Sequence, residues 1–125
     1  MSPQTLAAAY AALALMPVAM HLAVAAGAPL GRYTVGGRFA GRLPPAWRVL
    51  ALVQAGLLAG MALTVLDRGG VIDTGLPRGL FWPVAALTAM TCAANAASPS
   101  QPERRLWTPV TLAMLAAVLG AARAS

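Results

Sequence analysis

Charged side chains are scarce in this sequence, and three quarters of those present are basic. They make up 10% of the residues: nine arginines, no lysine, and only Asp67, Asp73 and Glu103 on the acidic side. A soluble domain carries about 25% charged residues. A chain of 125 residues of which 59% are hydrophobic is also too short to bury that much apolar surface in one aqueous core. The composition therefore excludes an ordinary soluble domain and points to lipid as the solvent.

Groups that bind metals or carry out catalysis are also rare. The one cysteine, Cys92, cannot form an internal disulfide, and His21 is the one histidine. No cysteine and histidine spacing typical of a zinc site occurs, and no serine or cysteine has a base placed beside it in the sequence. Asp67 and Asp73 are interpreted as solvated loop charges, and Glu103 as part of the start of the last helix. We therefore predict no metal site, no cofactor and no catalytic residue, and an enzyme is the weaker interpretation.

Four long apolar runs account for most of the chain, at positions 4–27, 46–66, 79–98 and 104–122. Each approaches the ~20 residues that a helix needs to cross a hydrocarbon layer of ~30 Å, where the backbone must satisfy its own hydrogen bonds. Serine, threonine and proline residues before the runs fit helix starts, and three tryptophans near run ends fit an aromatic belt. The predicted fold class is all-α: a polytopic membrane protein whose single domain, residues 1–125, has four transmembrane helices in an up-down bundle.

The first run has a second interpretation, as a secretory signal peptide that is cleaved near the small residues at its end. No lysine or arginine precedes the run, and it is longer than the apolar region of a signal peptide. We therefore favour a retained helix.

The first connection, residues 27–45, reads "GAPLGRYTVGGRFAGRLPP". A phosphate-binding P-loop requires lysine and then serine or threonine after its last glycine, but Gly37 and Arg38 occupy these positions. We favour an interfacial loop whose glycines supply turns and whose Tyr33, Val35 and Phe39 dip toward the lipid headgroups.

Arginines divide unequally between the connections, with six in the first and third and three on the other side. This bias predicts that both arginine-rich connections are cytoplasmic and that both termini lie outside, in a bacterial cytoplasmic membrane. Anionic lipid accounts for the positive charge at a membrane boundary, so no nucleic-acid partner is predicted. The expected anionic-lipid contacts are Arg32, Arg38, Arg42, Arg48, Arg104 and Arg105.

The first connection and the later stretch "SPSQPERRLWTPVTL" together resemble a family of small bacterial integral membrane proteins with no assigned activity. Its members share a Gly-Ala-Pro-x-Gly…Gly-Gly…Gly-x-Leu-Pro loop after the first helix and a Glu-Arg…Trp-x-Pro start of the last. The resemblance covers most of the chain. It implies four transmembrane helices and supplies no catalytic residues.

Polar side chains inside the apolar runs form a predicted cluster near the first and third connections. His21 lies about 9 Å, and Gln54 about 12 Å, from the nearer end of its predicted helix. Thr88, Thr91 and Asn95 have the spacing of one helical face. If they point inward, all five meet in the same half of the bundle. They are His21, Gln54, Thr88, Thr91 and Asn95.

Two interpretations of this cluster remain open. The side chains can link helices by hydrogen bonds worth ~0.6 kcal/mol each, or they can form a site around His21, where Pro17 removes a backbone hydrogen bond on the same helical face. We favour links, because ion or proton passage usually brings a carboxylate, lysine or arginine into the span as well. None is present in the central part of any run.

A stripe of small residues, Gly56, Gly60 and Thr64, follows the second run at helical spacing and permits close approach of another helix. Gln54 lies about 200° around the helix from Gly56. If Gln54 points into the bundle, the stripe faces outward, toward a second copy or a partner protein. If the glycines pack inside, Gln54 faces lipid, which is costly, so we favour the first arrangement.

The function predicted from these features is a non-enzymatic membrane module. It self-associates or joins a larger membrane complex, and it binds lipid or a small apolar ligand. The alternative is a small transporter, channel subunit or membrane enzyme that uses the polar cluster around His21.

Overall fold

Four α-helices form the framework of the protein. The computed structural model describes residues 1–124, and within these residues every regular element is helical. The helices are α1 (Pro3–Ala25), α2 (Pro45–Arg68), α3 (Phe81–Ala96) and α4 (Gln101–Ala124), and short 3₁₀ turns occur at Gly31–Tyr33, Val35–Gly37 and Arg78–Leu80. The all-α class is therefore confirmed.

All four helices are long and apolar enough to cross a membrane, with α3 counted together with the 3₁₀ turn before it. Large apolar side chains also cover the outside of the bundle; Leu15, Leu52, Val53, Met90 and Leu112 are all more than half exposed. Soluble monomers rarely expose apolar patches of that extent. The structure thus has the features of a multi-pass membrane protein.

The helix boundaries differ from the predicted runs by a few residues. α3 starts at Phe81 because the chain first makes the 3₁₀ turn Arg78–Leu80, and it ends at Ala96. α4 starts at Gln101, before the predicted position 104, because the Ser100 hydroxyl accepts a hydrogen bond from the Glu103 amide at 3.3 Å. A serine N-cap of this type supplies an acceptor to the unpaired amides of the first turn.

The helices pack in the order α2–α1–α4–α3. α1 makes extensive contacts with α2 and α4, and α4 does so with α3, whereas α2 and α3 barely touch. The main core lies between these helices and includes Tyr10, Val65, Phe81, Met114 and Val118. The bundle is therefore closed along three helix pairs and open along the fourth.

The first connection is folded against one end of the bundle, which we call the loop end. The amide of Gly31 donates to the carbonyl of Gly41 at 3.0 Å, and the indole of Trp107 donates to the Tyr33 carbonyl at 2.9 Å. The Ser100 hydroxyl donates to the Arg32 carbonyl. These bonds join the loop to the start of α4.

Candidate functional site

A cavity of about 300 Å³ lies inside the bundle toward the loop end. All four helices and the first connection contribute to its wall. Its volume is at the lower end of the roughly 300–1,000 Å³ typical of small-molecule sites. Its polar lining side chains, apart from two tryptophans, are His21, Tyr33, Thr34, Gln54, Thr88, Thr91, Asn95, Glu103 and Thr111.

The five polar residues singled out in the sequence thus all line one cavity. His21 comes from α1, Gln54 from α2, and the other three from α3. The structure also places Glu103 and Thr111 of α4 in the same wall, although the sequence reasoning did not include them.

Several of these groups form hydrogen bonds within the bundle. The Thr88 hydroxyl lies 2.7 Å from the Tyr10 hydroxyl, which links α3 to α1, and Asn95 Nδ2 donates to Thr111 Oγ1 at 3.3 Å, which links α3 to α4. The hydroxyls of Thr88, Thr91 and Thr111 also donate to carbonyls of their own helices at 2.8, 2.8 and 2.7 Å. Thr88, Asn95 and Thr111 therefore link helices, whereas Thr91 bonds within α3.

His21 and Glu103 differ from those residues. The imidazole Nδ1 of His21 and the carboxylate Oε2 of Glu103 are both buried without a hydrogen-bond partner. A buried polar group that lacks a partner costs about 1–3 kcal/mol, and more if it is charged. A bound molecule that supplied a donor to Glu103 would remove that cost.

Ser98 explains why the Glu103 carboxylate does not cap its helix. In a capping box the carboxylate of Glu103 would accept from the Ser100 amide. Here that amide donates instead to Ser98 Oγ at 3.2 Å. The sequence reasoning assigned Glu103 to the helix start alone, whereas its side chain also lines the cavity.

The cavity wall changes from polar to apolar with depth. Glu103 lies about 3 Å along α4 from its start, and His21 about 6 Å from the end of α1. The deepest lining residues, Leu58, Met61 and Met114, lie roughly 20–24 Å from the loop end. Thr88, Gln54 and Thr111 lie about 12–15 Å from the loop end. The wall therefore carries polar groups over much of its depth, with an acidic group at the loop end and only apolar side chains at the deepest end.

Aromatic residues surround the polar end. Tyr33, Trp47 and Trp107 all line the cavity. Trp107 is only 6% exposed and lies inside the bundle, so it is not part of a lipid-facing belt. Trp82, at the opposite end, is 55% exposed and has the position that an aromatic belt requires.

The first connection forms part of the wall through Tyr33, Thr34 and Val35. Tyr33 and Val35 thus line the cavity, and the Phe39 ring packs on Trp47 with centroids 5.6 Å apart, in contrast to the expected position of these side chains among headgroups. Val35 has a φ of 52°, which is strained for a β-branched residue. Such strain of ~1–3 kcal/mol is concentrated at ligand clamps and active sites.

The cavity reaches the gap between α2 and α3. Its lining residues on the two sides of the gap include Leu50 of α2, which is 42% exposed, and Thr91 of α3, which is also exposed. Because α2 and α3 barely touch, the wall is incomplete there.

The arginines at the loop end have two kinds of environment. Arg48 Nε donates to the Ala25 carbonyl at 3.1 Å, at the end of α1, and Arg104 Nη1 donates to the Ser98 carbonyl at 2.8 Å. The remaining four predicted lipid contacts are exposed: Arg32, Arg38, Arg42 and Arg105.

The small residues of the α2 stripe do not all face the same way. A Cβ atom added at Gly56 or Gly60 would meet no heavy atom within 4 Å, so this part of α2 faces outward while Gln54 lines the cavity. Thr64 is buried, at 7% exposure, and its hydroxyl donates to the Gly60 carbonyl at 2.8 Å. The outward surface therefore does not extend to Thr64.

A helical spacing in the sequence could have identified the missed lining residues. Glu103, Trp107, Thr111 and Met114 follow one another at intervals of four, four and three, which places them on one face of α4. Tyr33, Thr34 and Val35 give no comparable signal, because their position depends on contacts with distant residues.

No family model matches the chain, and no curated protein and no solved structure match it either. The resemblance to small bacterial membrane proteins therefore stays a prediction. The class that the fold and the cavity define is a multi-pass helical membrane protein with an internal cavity, polar at the loop end and open between two helices.

Proposed function

We propose that this chain is a non-enzymatic membrane module that binds a lipid or another small amphipathic molecule in the cavity. The observation that carries the proposal is the cavity itself, which all four helices line and which has a carboxylate near the loop end and only apolar side chains at its deepest end. Such a wall is complementary to a molecule with one polar and one apolar end.

The hydrogen bonds of the cavity favour binding over catalysis. The lining threonine hydroxyls donate to backbone carbonyls, so their protons are not directed to a base. Within residues 1–124 no three His, Cys, Asp or Glu side chains are grouped to hold a metal ion. The lining groups can position a ligand without a nucleophile.

The experiment that tests this proposal fills the cavity. Leu58→Trp places a large side chain in the wall, whereas Leu57→Trp adds the same side chain at a neighbouring position that is 53% exposed. Both variants are purified in a mild detergent, and the small molecules that accompany them are extracted and identified by mass spectrometry. We expect Leu57→Trp to retain the same bound species as the wild type and Leu58→Trp to lose it. Equal retention in both variants would overturn the proposal.

We further propose that the helices insert in a bacterial cytoplasmic membrane with the loop end in the cytoplasm and both termini outside. The excess of arginine at that end supports this orientation, and the four exposed arginines there are suited to anionic headgroups. Cysteine labelling tests it in a Cys92→Ala background. Asp73→Cys should react with a membrane-impermeant maleimide in intact cells, and Ala40→Cys only after permeabilisation; the reverse pattern would invert the orientation.

The same module is proposed to associate through the outward part of α2, either with a second copy or within a larger membrane complex. The free space beside Gly56 and Gly60 supports this interface because a second helix can approach closely there. Replacing both glycines with leucine should lower the mass of the detergent-solubilised particle. An unchanged mass would contradict the proposal.

A small transporter, channel subunit or membrane enzyme is the second candidate, favoured by the presence of His21 and Glu103 in one cavity. His21→Ala separates the two functions. If the variant folds and still binds the extracted molecule but no longer carries that molecule across the membrane of liposomes, the cavity belongs to a transport path. If no flux occurs with the wild type either, the binding function stands.

A further inference from the structure

The polar end of the cavity contains one charged side chain that has no positive partner in the wall. Glu103 is the carboxylate that lines the cavity, and no arginine of the described chain lines it. Its Oε2 is buried without a hydrogen-bond donor. The neighbouring Arg104 is engaged with the Ser98 carbonyl. The missing partner is thus a donor, and a cationic donor gives the strongest hydrogen bond to a carboxylate.

The aromatic residues near Glu103 add to the recognition of a cation. Tyr33, Trp47 and Trp107 line the same cavity, and the faces of aromatic rings attract ammonium groups by about 0.5–2 kcal/mol each. Arg32 already lies over one face of Tyr33, and Arg38 over one face of Trp47, at 5.4 and 5.7 Å from the ring centroids. A ligand cation is therefore left Trp107 and the opposite faces of the other two rings. A carboxylate together with several aromatic rings is a combination that binds organic ammonium groups.

The deepest part of the cavity is apolar and suits the end of an alkyl chain. The cavity volume of about 300 Å³ extends over roughly 20 Å toward Leu58, Met61 and Met114, so the cavity is narrow. Methionine side chains adapt their shape to an irregular apolar ligand. The opening between α2 and α3 lies on the side that faces hydrocarbon, so a molecule dissolved in the membrane reaches the cavity without crossing water.

From these observations, and on the basis of the proposed binding function, we propose that the ligand is a single-chain amphiphile with an ammonium headgroup. The headgroup lies between Glu103 and the aromatic residues, and the alkyl chain extends toward Met61 and Met114. The ligand enters from the membrane through the gap between α2 and α3.

The test uses tryptophan fluorescence, because Trp47 and Trp107 line the cavity. Trp82 lies outside it and is replaced with phenylalanine. The full chain with Trp82→Phe is titrated in a non-ionic detergent with a dibrominated long-chain alkylamine, a quencher. Dibrominated probes of the same chain length, with an alcohol or a sulfate headgroup, are titrated for comparison. A dibrominated short-chain amine tests for a water-soluble ligand. Saturable quenching reports binding, whereas partition into the micelle gives a non-saturating background.

We expect saturable quenching by the long-chain amine, weaker binding of the alcohol, and no saturable binding of the sulfate. Glu103→Gln should weaken binding of the amine by about ten- to hundredfold, the range of a hydrogen bond to a charged group, and weaken binding of the alcohol much less, because its hydroxyl is a neutral donor. Glu103→Asp, which keeps the charge, should restore part of the affinity.

The outcomes separate this inference from the proposed function. If the amine and the alcohol bind equally and Glu103→Gln changes neither, the cavity binds amphiphiles but the ammonium assignment is wrong. Tight binding of the short-chain amine would assign the ligand to water rather than to the membrane. If no probe binds saturably to the folded wild-type protein, the proposed function fails as well. Retained alcohol binding shows that Glu103→Gln is folded.

Discussion

Individual polar residues in this bundle differ in what their atoms bond to. Tyr10 and Thr88 share a hydrogen bond of 2.7 Å between two buried side chains, and Asn95 is bonded to Thr111. These pairs join helices. His21 and Glu103 each retain a buried atom without a partner, which is expensive in an apolar surrounding. The first group therefore links helices, whereas His21 Nδ1 and Glu103 Oε2 bond to none of the described residues and are the candidates for ligand contact.

The link between Tyr10 and Thr88 predicts a measurable effect on stability. Tyr10→Phe removes the hydroxyl and keeps the ring, so we expect a loss of about 0.6 kcal/mol, the mean for such links in membrane proteins. Unfolding in mixed micelles of increasing SDS content measures it. In a Thr88→Val background the same change should cost almost nothing, because the partner is already absent. Equal losses in both backgrounds would show that the hydroxyls do not interact.

Gly31 is a second residue for which the surrounding atoms determine which side chain fits. A Cβ atom at this position would overlap the carbonyl oxygen of Phe39, so Gly31→Ala should displace the loop and lower stability by more than about 1 kcal/mol, as overpacking does. Gly41→Ala is the matched control, because a Cβ there would meet no atom within 4 Å. Thermal unfolding in detergent compares the two, and a similar midpoint for both variants would contradict the packing described here.

At the scale of elements, the first connection is held to the bundle by backbone carbonyls. The Tyr33 carbonyl accepts from the Trp107 indole, and the Arg32 carbonyl accepts from the Ser100 hydroxyl. A loop fixed in this way contributes a wall to the cavity rather than a flexible connection. Its glycines allow close approach: a Cβ at Gly37 would lie 2.7 Å from the Ser100 Cβ.

Trp107→Phe should loosen this loop while α4 stays helical. The variant retains an aromatic ring but loses the donor to the Tyr33 carbonyl, a bond worth about 0.5–1.5 kcal/mol. We expect faster amide hydrogen exchange in residues 31–38 and unchanged exchange in the middle of α4. Trp82→Phe, at the other end of the bundle, is the control and should leave the loop unaffected. Unchanged exchange in both variants would mean that this bond does not hold the loop.

The helices were predictable from the sequence because their signals are local. Long apolar runs and serine or proline caps locate the four helices to within a few residues, and helical spacing brings Thr88, Thr91 and Asn95 onto one face. The position of the loop was not predictable in the same way. Its bonds connect Tyr33 with Trp107, residues far apart in the chain. The free carboxylate of Glu103 likewise depends on Ser98, which competes for the capping amide.

At the scale of the whole molecule, the bundle is a row of four helices bent into an incomplete ring. Contacts are extensive between neighbours in the order α2–α1–α4–α3 and sparse between the two ends of the row. Hydrophobic burial does not drive helices together in lipid, so an apolar gap at the α2–α3 pair carries little cost. The same gap in water would expose apolar surface. The arrangement therefore suits a membrane protein that receives a ligand from the side.

Closing the gap should slow ligand exchange. Leu50 lies five residues after the start of α2 and Thr91 five residues before the end of α3, so both are about 7.5 Å from the loop end in antiparallel helices. The test protein carries Cys92→Ala and Trp82→Phe together with Leu50→Cys and Thr91→Cys. A reagent that forms one reducible disulfide with each of the two new thiols bridges the gap. We expect the cross-linked protein to bind the dibrominated alkylamine much more slowly, and reduction to restore the rate. Each single-cysteine variant, treated identically, should bind at the original rate, since it has the reagent but no bridge. If the bridged protein also binds at that rate, the ligand reaches the cavity by another path, such as the loop end.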